Sequence, residues 1–104
     1  MFRYVAIALL VMISCNDAEK AKLFDVIAAE TCACSKQQTI AASAAISICI
    51  IRSAKTHDAE LKRVGVDQES QAGLKQLQYE IAGRMERNCR EIYIKALEER
   101  KGRR

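Results

Sequence analysis

Five cysteines and a single histidine are the residues of this 104-residue chain whose types most readily carry chemistry. Cys32 and Cys34 lie close together in Thr31-Cys32-Ala33-Cys34-Ser35, Cys49 and Cys89 follow in later segments, and Cys15 stands apart at the end of an apolar run. Thiols at such spacings can pair, hold a soft metal or act as nucleophiles. A metal site usually gathers its ligands from tight loop spacings, whereas Cys49 and Cys89 sit deep in separate helical stretches. That arrangement suits two disulfides, with a copper or zinc thiolate site as the alternative. A dithiol enzyme is disfavoured, because Cys-x-x-Cys is missing and no basic residue is placed to activate a thiolate. His57 falls in the polar break Lys55-Thr56-His57-Asp58, where an exposed loop residue is expected. Only the neighbouring Asp58 offers to orient it as a base. A glycine-rich phosphate loop, a His-Glu-x-x-His helix and a nucleophile elbow are all lacking. The expectation is therefore a non-enzyme with no cofactor and no resident metal.

Cys15 calls for a different chemistry. Met1-Phe2-Arg3 and the continuous apolar run from Tyr4 to Ile13 have the form of a secretory leader. The run is shorter than the roughly 20 residues that span a bilayer core, and it lacks the polar face of a core helix. Met12-Ile13-Ser14-Cys15 resembles a bacterial lipobox, in which a small residue precedes the cysteine that becomes the lipidated first residue. The domain reading is a lipoprotein-type signal peptide over residues 1–14, then one helical domain over 15–104 with a basic tail. The cysteine count agrees. Five is odd for an exported chain, and committing Cys15 to a thioether leaves four that can pair in an oxidising compartment. Several acyl chains would hold such a chain on a membrane durably.

Positioning these cysteines falls to helices. Proline is absent and alanine, leucine, glutamate, lysine and arginine abound, all compatible with helix. The predicted fold is all-α: a small disulfide-stapled bundle of three main helices plus a short fourth. The first helix is expected from about Asp17 to Lys36, opened by a capping box of Asn16 and Glu19. A tight turn follows over Ser35 to Thr39, where Ser35 with Gln38, or Thr39, can cap the next helix. The second helix is expected from Ile40 to Ala54. Alanines permit close approach, and the isoleucines lie all round it, so it should be the central, most buried element. A short helix over Ala59 to Val64 ends at Gly65. Asp67 then caps one long helix from Gln68 to Glu99, with Leu74, Leu77, Ile81, Met85, Cys89, Ile92 and Ala96 on one face. Gly83 should approach the alanine-rich second helix, and Tyr79 and Tyr93 should edge the core.

Charge adds little. The formal net charge is +4, of which Arg3 supplies one, and the charges are interspersed as on solvated helix faces. The tail from Glu98 to Arg104 reads as a frayed solubilising terminus. No stacking aromatics interleave with the basic residues, so nucleic acid is not an expected partner.

The ordered set Ser14-Cys15, Glu30-Thr31-Cys32-Ala33-Cys34-Ser35, Ile46-Ser47-Ile48-Cys49-Ile50, Val64-Gly65-Val66-Asp67, Ile81-Ala82-Gly83-Arg84-Met85 and Asn88-Cys89-Arg90-Glu91 resembles a group of small helical four-cysteine bacterial lipoproteins. The chain departs from that group at Arg90, where proline is common. The resemblance implies location and architecture and no activity: a lipid-anchored protein of the bacterial cell envelope, periplasmic or at the surface, held to the membrane through its anchor. Its expected role is structural or interaction-based, with an envelope protein as partner. A small-ligand or soft-metal carrier is the alternative.

Residues two apart on a helix point about 200° from each other, so Cys32 and Cys34 should reach different elements. Placing the first turn near Gln38 and Thr39 matches Cys32 to Cys49 by axial distance and leaves Cys34 for Cys89, on a stripe with Leu23 and Ile27 assigned to the last helix. The expected pairing is Cys32–Cys49 with Cys34–Cys89. The swapped arrangement is the runner-up.

Overall fold

In the computed structural model, the backbone is described for residues 2–102 and the side chains for residues 17–102. The expected lipid site at Cys15, the apolar side chains of the leader, and Arg103 and Arg104 of the basic tail lie outside these. The described residues are helical in the main: α1 (Phe2–Gln37), α2 (Ala42–Thr56), α3 (Asp58–Arg63), α4 (Gln71–Asn88) and α5 (Arg90–Gly102). Among them no helix is long and apolar enough to cross a membrane.

No glycine or proline interrupts residues 2–37, so α1 runs on through the expected start at Asn16, whose capping box lies inside the helix in the full chain. α2 returns antiparallel to it. α3 turns at the foot of the bundle, and α4 climbs parallel to α1, as the pairing of Asp25 with Arg84 and of Cys32 with Cys89 requires. α5 crosses from there to the beginning of α2, where Glu99 meets Ala42 and Ser43.

α1 is the hub. Leu23, Phe24, Ile27, Ala28 and Cys32 pack against Leu61, Val64 and Val66 and against Leu77, Ile81, Met85 and Cys89 in one buried core. The expectation that α2 would be the most buried element is overturned. Its buried residues are Ala42, Ala45, Cys49, Ser53 and Ala54, while Ile48 and Ile51 are 38% and 65% exposed. Small side chains face inward because α2 lies close against α1. At the disulfide between them the two Cα atoms are 5.8 Å apart.

Local chemistry explains the chain's turns. Gly65 adopts φ +86°. Its N–H donates to the Lys62 carbonyl, and the Val66 N–H donates to that of Leu61, at 3.1 and 2.8 Å. Leu61 and Val66 are both buried, so the α3 terminus closes as a Schellman turn with its hydrophobic contact. The next helix begins at Gln71 rather than Gln68. Asp67 instead accepts the Glu69 N–H in a turn, and the Ser70 hydroxyl accepts the Gly73 N–H as the N-cap. A Cβ at Gly73 would overlap the Asp67 carbonyl, which accounts for glycine there. Gly83 faces open space instead of α2.

The long last helix of the sequence reading is two helices. Cys89, at φ −142° and ψ 61°, leaves the helical region. Its N–H still donates to Met85 and its carbonyl accepts from Tyr93, so it ends α4 and begins α5. The break turns α5 from α1 toward α2 while leaving the Cys89 sulfur against α1.

Candidate functional site: an apolar groove beside a stapled seam

Two disulfides, Cys32–Cys89 and Cys34–Cys49, join the four body cysteines. The cysteines chosen by sequence are the paired ones, and the expected connectivity is corrected to its runner-up. The error lay in the faces of α1. Glu30 and Cys34 face α2, as the Glu30–Ser53 hydrogen bond shows, whereas Phe24, Asp25 and Cys32 face α4. Helix rotation, not axial distance from the turn, selects the partners.

The α1–α2 seam carries polar rungs at both ends. Near the end of α2, Glu30 accepts a hydrogen bond from the Ser53 hydroxyl at 2.6 Å and pairs with His57 Nε2 at 3.0 Å. The Ser53 hydrogen bond, followed by that of His57, holds the Glu30 carboxyl below the usual carboxylate range. His57 is therefore partly buried with a carboxylate partner, not an exposed loop residue. Its other ring nitrogen lies 3.9 Å from Glu60. The Ser53 hydroxyl is directed to Glu30 and not to the imidazole, so the three do not form a nucleophile–base relay.

At the other end, α2 begins without a local cap. Ala41 occupies the cap position and neither Thr39 nor Ser35 serves there. Glu99 of α5 takes over, accepting the Ala42 and Ser43 N–H groups at 2.9 and 3.0 Å together with the Ser43 hydroxyl at 3.0 Å. These backbone donors, Ser43 first, hold the Glu99 carboxyl below its usual range, as expected for an anion at a helix N-terminus. The segment read as a frayed tail is thus helical through Gly102 and anchored at Glu99.

Outside this seam the isoleucines of α2 meet α4 and α5 across an open groove of about 470 Å³. Ile46, Ile50 and Ile51 form one wall, Leu74 and Tyr79 a second, and Tyr93 and Leu97 a third. Met85 and Leu77 close the floor from the core side. Tyr79 is 79% exposed, well beyond the core edge expected for it, and Leu74 and Leu97 are also exposed. Leu74, expected on the buried face of one straight helix, is exposed because residues 71–102 form two helices whose break opens this groove against α2. Among the described residues the lining includes Lys75 and Arg100 and no acidic side chain.

Among the described residues no cluster of three or more His, Cys, Asp or Glu side chains has the geometry of a metal site. No protein-family model matches the chain, and neither a curated protein nor a solved structure is significantly similar to it.

Proposed function

We propose that this chain is a lipid-anchored cell-envelope protein of structural or interaction type, exported behind residues 1–14 and held to the membrane through Cys15, which presents the groove between α2, α4 and α5 to another envelope protein. The observation that carries the interaction role is that groove: large apolar side chains, Ile51, Leu74, Tyr79 and Leu97 among them, stand open to solvent beside a buried core. Such a patch marks a contact surface. The two disulfides suit an oxidising compartment. The resemblance to small four-cysteine bacterial lipoproteins is compatible with the break at Cys89. Arg90, where that group commonly has proline, is the first residue of α5, a position at which either residue is tolerated.

A carrier of small apolar ligands is the second reading, favoured by the groove's volume. Its open, three-walled form serves a macromolecular surface better than an enclosed ligand. A soft-metal carrier built on Cys32, Cys34, Cys49 and Cys89 would first require reduction of both disulfides.

Two measurements test the proposal. Cys15→Ser should release the protein from the membrane fraction or leave the leader uncut, and unchanged attachment with a normally processed leader refutes the anchor. A photo-crosslinking residue at position 51 in the membrane-attached protein should give a discrete protein adduct, and one at exposed Ala29 on α1 should not. Equal labelling from both positions, or none from position 51, refutes the interaction role.

A further inference from the structure

We propose that the occupant of the groove is an amphipathic helix of a partner protein, about three turns long, whose apolar stripe is flanked by a carboxylate at each end. The inference rests on the interaction role proposed above and assigns the chemistry of the partner.

The groove follows α2 from Ser43 to Ala54, about 16 Å at 1.5 Å per residue. Among the described residues its charged lining is Lys75 and Arg100, and the structure places them toward opposite ends. Arg100 follows Glu99, which is bound to Ala42 and Ser43 at the start of α2. Lys75 lies in the first turns of α4, just after the segment in which Gln68 donates to the Ala54 carbonyl near the end of α2. Neither cation makes an ion pair among the described residues. Glu99, the neighbour of Arg100 in sequence, is committed to α2. The groove therefore has a mainly apolar middle, interrupted by the uncharged polar Ser47 and Gln78, and a cation at either end, complementary to a short stripe with acidic ends.

The same charges weigh against other occupants. A twofold pairing of two copies would present the same patch from both sides, setting cation against cation at each end. Residues 1–14 of the chain itself carry Arg3 and no acid, so they lack the matching charge. A single-headed fatty acid offers one carboxylate for two cations and would leave its chain wet in a groove open along its length.

The test uses the full chain, with disulfides intact, in nanodiscs of zwitterionic lipid. The probes are two synthetic helical peptides with one leucine stripe, ended by glutamate in one and lysine in the other, and dodecanoate as a single-headed apolar competitor. The glutamate-ended peptide should bind about tenfold more tightly than the lysine-ended one, since exposed charge pairs each contribute modestly, and the preference should shrink with salt. The double variant Lys75→Glu, Arg100→Glu should reverse it. Ile51→Asp should abolish binding of both peptides without altering the melting temperature, which separates loss of the surface from loss of the fold. Equal affinity for the two peptides, displacement of the preferred peptide by dodecanoate at equal concentration, or self-association blocked by Ile51→Asp would each overturn the proposal. The cross-link at position 51 is read independently. An adduct there with no peptide discrimination removes the charge-matched helix and leaves the interaction role standing.

Discussion

The two faces of α2 are built on opposite terms. The face against α1 is alanine, serine and a disulfide, and is buried; on the other side Ile46 and Ile50 are half-buried against the core and Ile48 and Ile51 are exposed. Hydrophobicity alone ranks them the other way. What decides burial is the approach of the backbones. Helix axes usually lie 8–10 Å apart, and at the seam with α1 the buried side chains of α2 are alanines, a serine and the disulfide cysteine, which let the two backbones approach with little more than a methyl or hydroxymethyl group between them. The isoleucines are the residue of that choice. Their exposure is the cost of a close seam, and it leaves an apolar wall available to a partner.

The largest expected effect comes from removing the staples themselves. In the chain-entropy account, closing the 15-residue separation of Cys34 and Cys49 contributes about 3 kcal/mol, and the 57-residue separation of Cys32 and Cys89 contributes about 4 kcal/mol. Paired Cys→Ala variants should therefore both lower the denaturant midpoint, with the Cys32/Cys89 pair costing more. The reverse order would mean that native-state packing at the α1–α2 seam, rather than loop closure, dominates. Melting that is unchanged by reductant would count against both bonds.

A pair of substitutions sharpens the contrast between the faces directly. Ala45→Leu adds volume where α2 meets α1 and should destabilise by about 1–3 kcal/mol. Ile51→Ala removes volume on the open face and should change stability by less than about 0.5 kcal/mol. Urea unfolding of the two variants measures both. Comparable losses would show that Ile51 is covered in solution and that the groove is not a free surface.

The same comparison explains what could be read from the sequence. The helical class, the four paired cysteines, the stop at Gly65 and the buried Leu77, Ile81 and Met85 all follow from local pattern, because composition and spacing along one helix fix them. The pairing did not follow, because it depends on how α1 is rotated between two neighbours. Once Cys34–Cys49 is known, the rest of the seam becomes legible. One helical turn back from Cys34 is Glu30, one turn on from Cys49 is Ser53, and another turn leads to His57, which are the partners observed in the antiparallel pair. The Glu99 cap had no such signal. It joins residues 56 positions apart, and α5 reaches α2 only because Cys89 breaks a helix that contains neither glycine nor proline at that point.

The smallest effect concerns the carboxylates that close the inner face at its two ends. Glu30, bonded first by Ser53 and then by His57, and Glu99, bonded by the Ser43 and Ala42 N–H groups, both titrate below the ordinary carboxylate value of 4.5. A carboxyl whose folded value is depressed adds stability that is present above the unfolded value and lost as pH falls through the folded one. Acidification from about pH 5 to about pH 3 should therefore loosen both ends of α2 before the disulfide at its middle feels any change. Glu99→Gln, which cannot offer the charge, should melt lower than the unaltered protein near neutral pH, yet show a shallower decline on acidification, so that the two curves converge. Glu30→Gln should do the same at the other end, with His57 losing its partner. Hydrogen exchange at Ala42 and Ser43 separates the two sites: only Glu99→Gln should speed it. Parallel melting curves for Glu99→Gln and the unaltered protein would mean that the charge at the start of α2 contributes nothing, and that the inner face is held by the close packing and the disulfide alone.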